Sequence, residues 1–117
     1  MNKKIGDLGE KLSQKYLLDQ GYKILTSNYR TKFGEIDLIV EERGLIIFIE
    51  VKTRTSGKFG RPMESVDYRK RETITRVAQY YMVSKGIGDL PIRFDVIEVY
   101  MDVGNKKYKL NHLENAF

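Results

Sequence analysis

The spacing of apolar residues divides the chain into alternating helical and extended stretches. Between residues 4 and 20, Ile5, Leu8, Leu12 and Tyr16 recur at helical spacing, and Gly21 follows as a stop. Gly6, Gly9 and Ser13 form a smooth strip beside that stripe, with Glu10 on its edge. A strip of small residues lets another backbone or a ligand approach closely. It serves either tight packing on a sheet, with Glu10 left in solvent, or it carries Glu10 over the sheet towards Asp37. Residues 22–27 suit a first strand, and residues 28–33 read as a polar connection containing Arg30 and Lys32.

Residues 34–54 read G-E-I-D-L-I-V-E-E-R-G-L-I-I-F-I-E-V-K-T-R, two β-rich runs either side of a tight break. With Arg43 and Gly44 as a two-residue turn, Glu42 faces Leu45. Val40, Leu38 and Ile36 then face Ile47, Ile49 and Val51 on one side. The other side sets Ile39 against Phe48, Asp37 against Glu50 and Glu35 against Lys52. Both sides are apolar near the turn, which predicts a sheet covered on both faces and hence an α/β architecture.

Residues 55–64 form the longest loop, rich in Gly and polar residues and carrying Lys58 and Arg61. A second helix is expected from Tyr68 to Lys85, with Asp67 as N-cap and Gly86 as stop. Its stripe is Ile74, Val77, Ala78, Tyr81 and Met82. Arg69, Lys70, Arg71 and Arg76 crowd its first turns, against the helix dipole, which fits service to a polyanion as well as a solvated face. Gln79 lies beside the stripe as an auxiliary candidate. A strand from Pro91 to Tyr100 contains Asp95, a turn spans 102–105, a short strand runs from Lys107 to His112, and the tail ends in a turn or frayed helix. No repeat, low-complexity tract or linker interrupts the chain, so one domain over residues 1–117 is expected.

Composition narrows the chemistry. With 41% hydrophobic and 32% charged residues the chain can fold around a core. The absence of cysteine excludes disulfides and thiolate metal sites, and the single histidine, His112, excludes a multi-histidine zinc centre. No apolar run approaches the ~20 residues that span a bilayer, and no apolar segment follows the N-terminal lysines, so no membrane partner and a cytoplasmic location are expected. A net charge of +5 and a pI near 9.4 favour a polyanionic partner.

Against that basic background the hairpin sets two carboxylates side by side. Directly opposed side chains on a sheet lie roughly 5 Å apart, and like charges there destabilise the pair unless a cation compensates. Lys52 on the face of Glu50, or a divalent ion, can provide it. Carboxylate oxygens suit Mg²⁺ or Mn²⁺ rather than zinc. A site of Asp37, Glu50, Lys52 and Glu10 has the parts for phosphodiester hydrolysis: a metal held by acids, and a lysine to orient water or neutralise developing charge. The competing reading is an internal ion-pair network in a protein-interaction domain.

The D, twelve residues, E-x-K pattern resembles the PD-(D/E)xK nuclease superfamily, and Glu10 resembles the first-helix acid of its Holliday-junction-resolvase-like members. Ile36 stands where the superfamily name has proline. More closely, the chain resembles the YraN-like family of small bacterial proteins, through G-D-L-G-E at 6–10, G-Y-K-I-L at 21–25, G-E-I-D-L-I at 34–39 and F-I-E-V-K-T-R at 48–54. R-F-D-V at 93–96 and the terminal H-L-E-N-A-F extend the match almost end to end. The resemblance implies a restriction-endonuclease-like core, with a mixed central sheet carrying the antiparallel hairpin at 34–54 and helices on both faces. It also implies a Mg²⁺- or Mn²⁺-dependent endonuclease acting on DNA rather than RNA, with branched or recombination intermediates as substrates and a homodimer as the working form. Asp37, Glu50 and Glu10 would be the metal ligands and Lys52 the charge-handling group. Arg30, Lys32, Arg54, Lys58, Arg61, Arg69 and Lys70 are candidate phosphate contacts. Glu35 is an auxiliary acid or a partner for Lys52. The alternative is a non-catalytic nucleic-acid-binding protein on the same fold.

Overall fold

The computed structural model describes residues 3–55 and 68–117. The order is α1 (Lys3–Asp19), β1 (Lys23–Thr31), β2 (Gly34–Glu42), β3 (Leu45–Arg54), α2 (Tyr68–Ser84), β4 (Ile92–Asp102) and β5 (Lys107–Leu113). All five strands form one sheet in chain order. Neighbours are antiparallel except β3 and β4, which run parallel because α2 lies between them in sequence. The expected hairpin turn is present: Arg43 and Gly44 both have positive φ, at 52° and 84°, as a two-residue hairpin turn requires.

The two helices cover opposite faces. Along β3, Ile46 and Phe48 join α2's Ile74, Val77, Ala78 and Tyr81, while Ile47 and Ile49 join α1's Leu17. That alternation explains why both faces of the hairpin are apolar. The architecture is the expected α/β one, a mixed sheet between helices, consistent with a restriction-endonuclease-like core. Among the described residues no helix is long and apolar enough to cross a membrane.

Three sequence expectations change. The strand β1 continues to Thr31, so Arg30 is a strand residue instead of lying in a polar connection. The buried face of α1 is Gly9, Ser13 and Leu17, whereas Leu8 of the apolar stripe is 47% exposed. The cause is close approach, since a Cβ on Gly9 would run into the Thr53 side chain on β3. The tail is docked on the sheet: the Ala116 N–H donates to the Phe94 carbonyl at 2.8 Å and the Phe117 ring lies 5.1 Å from that of Phe94. The expected N-cap, Asp67, lies outside the described residues.

Candidate metal centre

The β2–β3 ladder runs in the expected register from Glu42–Leu45 to Leu38–Ile49 and stops there. The expected Asp37–Glu50 and Ile36–Val51 pairings are not part of it. Leu38 packs on the α1 side of the sheet and Ile36 on the α2 side, so β2 switches faces around Asp37. Where the strands part, the Val51 N–H donates to Asp37 Oδ2 at 2.8 Å, and a side chain replaces a backbone acceptor. This anchors the Asp37 carboxylate at the opening of the hairpin.

Glu50 projects towards α2, the side shared with Phe48, and its side chain is 13% exposed. Its Oε1 lies 3.4 Å from Lys70 Nζ on the first turn of α2. Asp37 and Glu50 interact directly. Burial, then the Asp37 charge, pushes the Glu50 carboxyl up to about 7, against the pull of Lys70 and Lys52. Burial also raises Asp37, opposed by the Val51 N–H, Lys70 and a hydrogen bond with Glu50. Without a cation between them, such a pair retains a proton near neutrality.

Glu10 reaches the same region from α1. The seating of Gly9 on Thr53 brings this turn of the helix onto the sheet, and Glu10 Oε1 is buried with no hydrogen-bond partner. Burial raises its carboxyl to about 7, with Asp37, Asp7 and Glu35 adding to the rise and Arg30 opposing it. Of the two roles open to the small-residue strip, the structure has both the tight packing and a Glu10 that senses Asp37. Lys52 lies two residues beyond Glu50 on the same side of β3, and its charge holds the Glu50 carboxyl down.

Other candidates are placed differently from expectation. Glu35 pairs with Arg30 at 2.9 Å across β1–β2 instead of with Lys52, because β1 extends beside it while β3 has diverged. Lys70, expected on phosphate, sits on Glu50. Gln79 is exposed on α2 and does not reach the sheet. Arg54 and Arg69 are exposed at the end of β3 and the start of α2, and Lys32 lies over the Phe33 ring at 5.3 Å. Lys58 and Arg61 fall outside the described residues.

A second polar centre was not read from the sequence. Arg93 donates to both oxygens of the fully buried Asp95 at 2.8 Å, and His112 Nε2 lies 2.7 Å from the same carboxylate. The Asn115 N–H donates to Asp95 at 2.9 Å, and the Tyr16 hydroxyl lies 2.9 Å from His112 Nδ1. Arg93 and Asp95, two apart on a strand and so on one face, were the available signal.

The donor set of the first centre, all carboxylate oxygen with one buried oxygen unpartnered, fits a hard divalent cation. Asp37 and Glu50 form its core. Among the described residues no three His, Cys, Asp or Glu side chains stand close enough together to hold an ion as they are, so Glu10 is an outlying third acid.

Over residues 9–99, a span holding all four site residues, the chain matches the family described as "Uncharacterised protein family UPF0102". The chain belongs to the UPF0102 family. A UPF0102 protein of Alkaliphilus oremlandii is 56% identical over the full length of both chains. One from Clostridioides difficile is 51% identical, covering 99% of this chain and 98% of the relative. Another, from Caldanaerobacter subterraneus, is 47% identical over 100% of this chain and 98% of its own. The family is the one that the YraN-like motifs indicated.

Proposed function

We propose that this UPF0102 protein is a Mg²⁺- or Mn²⁺-dependent endonuclease that hydrolyses phosphodiester bonds in DNA, with branched and recombination intermediates as its substrates. The observation that carries the reading is the buried Asp37–Glu50 pair at the mouth of a parted hairpin, where burial raises both carboxyls and the Asp37 charge raises Glu50 further. Lys70 offsets part of the charge from the Glu50 side, yet both carboxyls stay raised, whereas the two-pronged Arg93 and its neighbours hold Asp95 below its usual range.

Asp37 and Glu50 would hold the ion, with Glu10 as auxiliary ligand. When bound, the ion supplies positive charge to the phosphoryl oxygens. The Val51 N–H keeps the Asp37 carboxylate aimed across the gap. Glu50 would have to be ionised to serve as a ligand, and the Lys70 and Lys52 charges favour that ionised form. Lys52 orients the attacking water or balances charge as the phosphorus centre becomes crowded. Arg30, Lys32, Arg54 and Arg69 offer exposed or partly exposed positive charge to the flanking backbone. Cutting both strands of a junction would call for two copies of the chain, and a DNA substrate would go with a cytoplasmic location.

The test uses labelled linear, single-stranded and four-way-junction DNA with Mg²⁺, Mn²⁺ or EDTA. Cleavage is expected with either metal and none in EDTA, with a loss of about 100-fold or more in Asp37→Asn and Lys52→Ala. Cleavage that survives either substitution overturns the assignment. The second reading, a nucleic-acid-binding protein without turnover, is favoured by Lys70 occupying Glu50 and by the lack of a ready three-acid cluster among the described residues. Salt-sensitive binding with no cleavage in any metal would establish it.

A further inference from the structure

Resting on the nucleic-acid reading above, we infer that Phe33 and Tyr80, with Arg76 and Lys32, form a stacking platform for an unpaired nucleobase beside the Asp37–Glu50 pair. Phe33, at the β1–β2 turn, is 38% exposed, and Tyr80, on α2, is 50% exposed. Their rings meet edge to face with centroids 6.2 Å apart. Lys32 Nζ lies 5.3 Å and Arg76 Cζ 5.6 Å from the Phe33 centroid. Large aromatic rings held in water between cations suit a strand with a charged backbone and exposed bases, because every base offers a π-face and every phosphate a charge.

The platform is fixed before any ligand arrives. The Thr31 hydroxyl accepts from the Phe33 N–H at 3.0 Å and donates to the Gly34 carbonyl at 3.2 Å. Gly34, at φ 150°, presses on α2 so closely that a Cβ there would lie 2.5 Å from Thr73 Cγ2. A turn docked in this way presents Phe33 without an ordering cost on binding. A small recess of about 110 Å³ beside the ring is lined by Glu72, Thr73 and Arg76. Those side chains supply an acceptor, a hydroxyl and a donor, the groups that base edges pair with. A duplex hides its base faces within the stack, so the occupant is an unpaired base.

The position relative to the acids follows from helix geometry. Lys70 touches Glu50, Thr73 touches the turn and Arg76 covers Phe33. These residues recur every three positions along one side of α2, so Thr73 and Arg76 stand about 5 and 9 Å along the axis from the Glu50 contact, and Tyr80, further along the helix, about 15 Å. The two rings therefore lie roughly three to four nucleotides along a strand, given roughly 3.4 Å per nucleotide in a stacked one. The lone cations on Phe33 do not block the site, because a stacked base gains more on an aromatic ring than an exposed cation does. The substrate class is therefore DNA with unpaired bases close to the scissile bond, such as a flap, a frayed junction or a single strand.

The experiment measures binding in EDTA, so that it does not depend on turnover, with a short single strand carrying 2-aminopurine and a blunt duplex of the same sequence. Phe33→Ala and Tyr80→Ala are expected to weaken single-strand binding by about 5- to 100-fold, to abolish the stacking-induced quench, and to leave duplex binding within about 2-fold. Phe33→Trp retains the quench and the affinity, which separates stacking from a folding defect. Variants that bind the single strand like the parent, or lose duplex binding equally, overturn the platform. If the parent binds no nucleic acid, the functional reading falls and the platform with it. If the parent cuts DNA while these variants bind single strands unchanged, only the platform falls.

Discussion

Asp37 on β2 and Asp95 on β4 both lie in the sheet, largely withdrawn from water, and they are provided for in opposite ways. Asp95 receives a two-pronged Arg93, His112 and the Asn115 N–H, which together hold its carboxyl below the usual aspartate range despite burial. Asp37 receives one backbone N–H and a neighbouring carboxyl, and burial holds it above that range. A buried acid serving the fold is matched with donors and cations, because an unpaired buried charge is costly. Asp37 is matched with a second acid. The contrast separates a carboxylate surrounded by donors from a pair of acids whose ion-pairing cation, Lys70, sits on Glu50.

The largest expected effect breaks the contrast at its structural end. Asp95→Ala leaves Arg93, only 19% exposed, without its main partner and frees the tail at Asn115. Loss of about 3–5 kcal/mol in urea unfolding is expected, a large share of the 5–15 kcal/mol that holds a domain this size. Asp37→Asn keeps an acceptor for the Val51 N–H and removes a repelling charge, so its stability should stay within about 1 kcal/mol of the parent, or exceed it. Equal destabilisation by both substitutions would erase the distinction.

A second test reads the two centres by pH. The Glu50 and Glu10 carboxyls rise from 4.5 to about 7, so the folded protein keeps protons that the unfolded chain has released. Their contribution to stability is greatest below about pH 4.5 and is lost as pH rises towards about 7. Asp95, lowered from 3.8, contributes in the other direction: its stabilisation is present above that value and is lost as pH falls through its depressed range. Urea midpoints should therefore decline from about pH 5 to pH 8, and the decline should flatten in Asp37→Asn, which relieves Glu50. Excess Mg²⁺ should also flatten it, with a thermal shift that grows with pH because the ion competes with protons. A Mg²⁺ shift independent of pH, or retained in Asp37→Asn, would detach the ion from this pair.

The legible and illegible parts of the site divide at Leu38. Up to that pair the hairpin follows from apolar alternation and an Arg43–Gly44 turn that accepts two positive φ values. Beyond it, counting residues assumes an unbroken pleat, but Asp37 replaces a backbone acceptor and β2 changes face. Counting therefore sets Asp37, Ile36 and Glu35 opposite Glu50, Val51 and Lys52, and none of these pairs is in the ladder, although the Asp37 and Glu50 side chains still meet. On α1 the pattern of large apolar residues missed Gly9 and Ser13, since burial there comes from backbone proximity to Thr53 and not from side-chain bulk. Asp37, Glu50 and Lys52 stand out in the sequence because charges are unusual in an apolar strand pair, and Glu10 because it borders a strip of small residues on α1. The partners of Asp95 are harder to read, because two of them, His112 and Asn115, come from a segment distant in sequence, and only the fold brings them to it.

The smallest effect sharpens the comparison without touching either aspartate. Glu35 and Arg30 form an exposed pair, 46% and 76% accessible at the side chain, so Glu35→Gln should change stability by no more than about 0.5 kcal/mol. Yet Glu35 raises the carboxyls of both Asp37 and Glu10, and Arg30 opposes the rise at Glu10. Removing Glu35 takes away one repelling charge and frees Arg30 from its partner, and both changes favour ionised Glu10. In a carbon-13 titration the Glu10 carboxyl should move down from about 7 in the variant, with no matching movement at Asp95, whose carboxyl is set by burial, His112, Arg93 and the Asn115 N–H. An upward movement at Glu10, or an equal shift at Asp95, would mean that the two centres share one field instead of standing as separate arrangements in the same sheet.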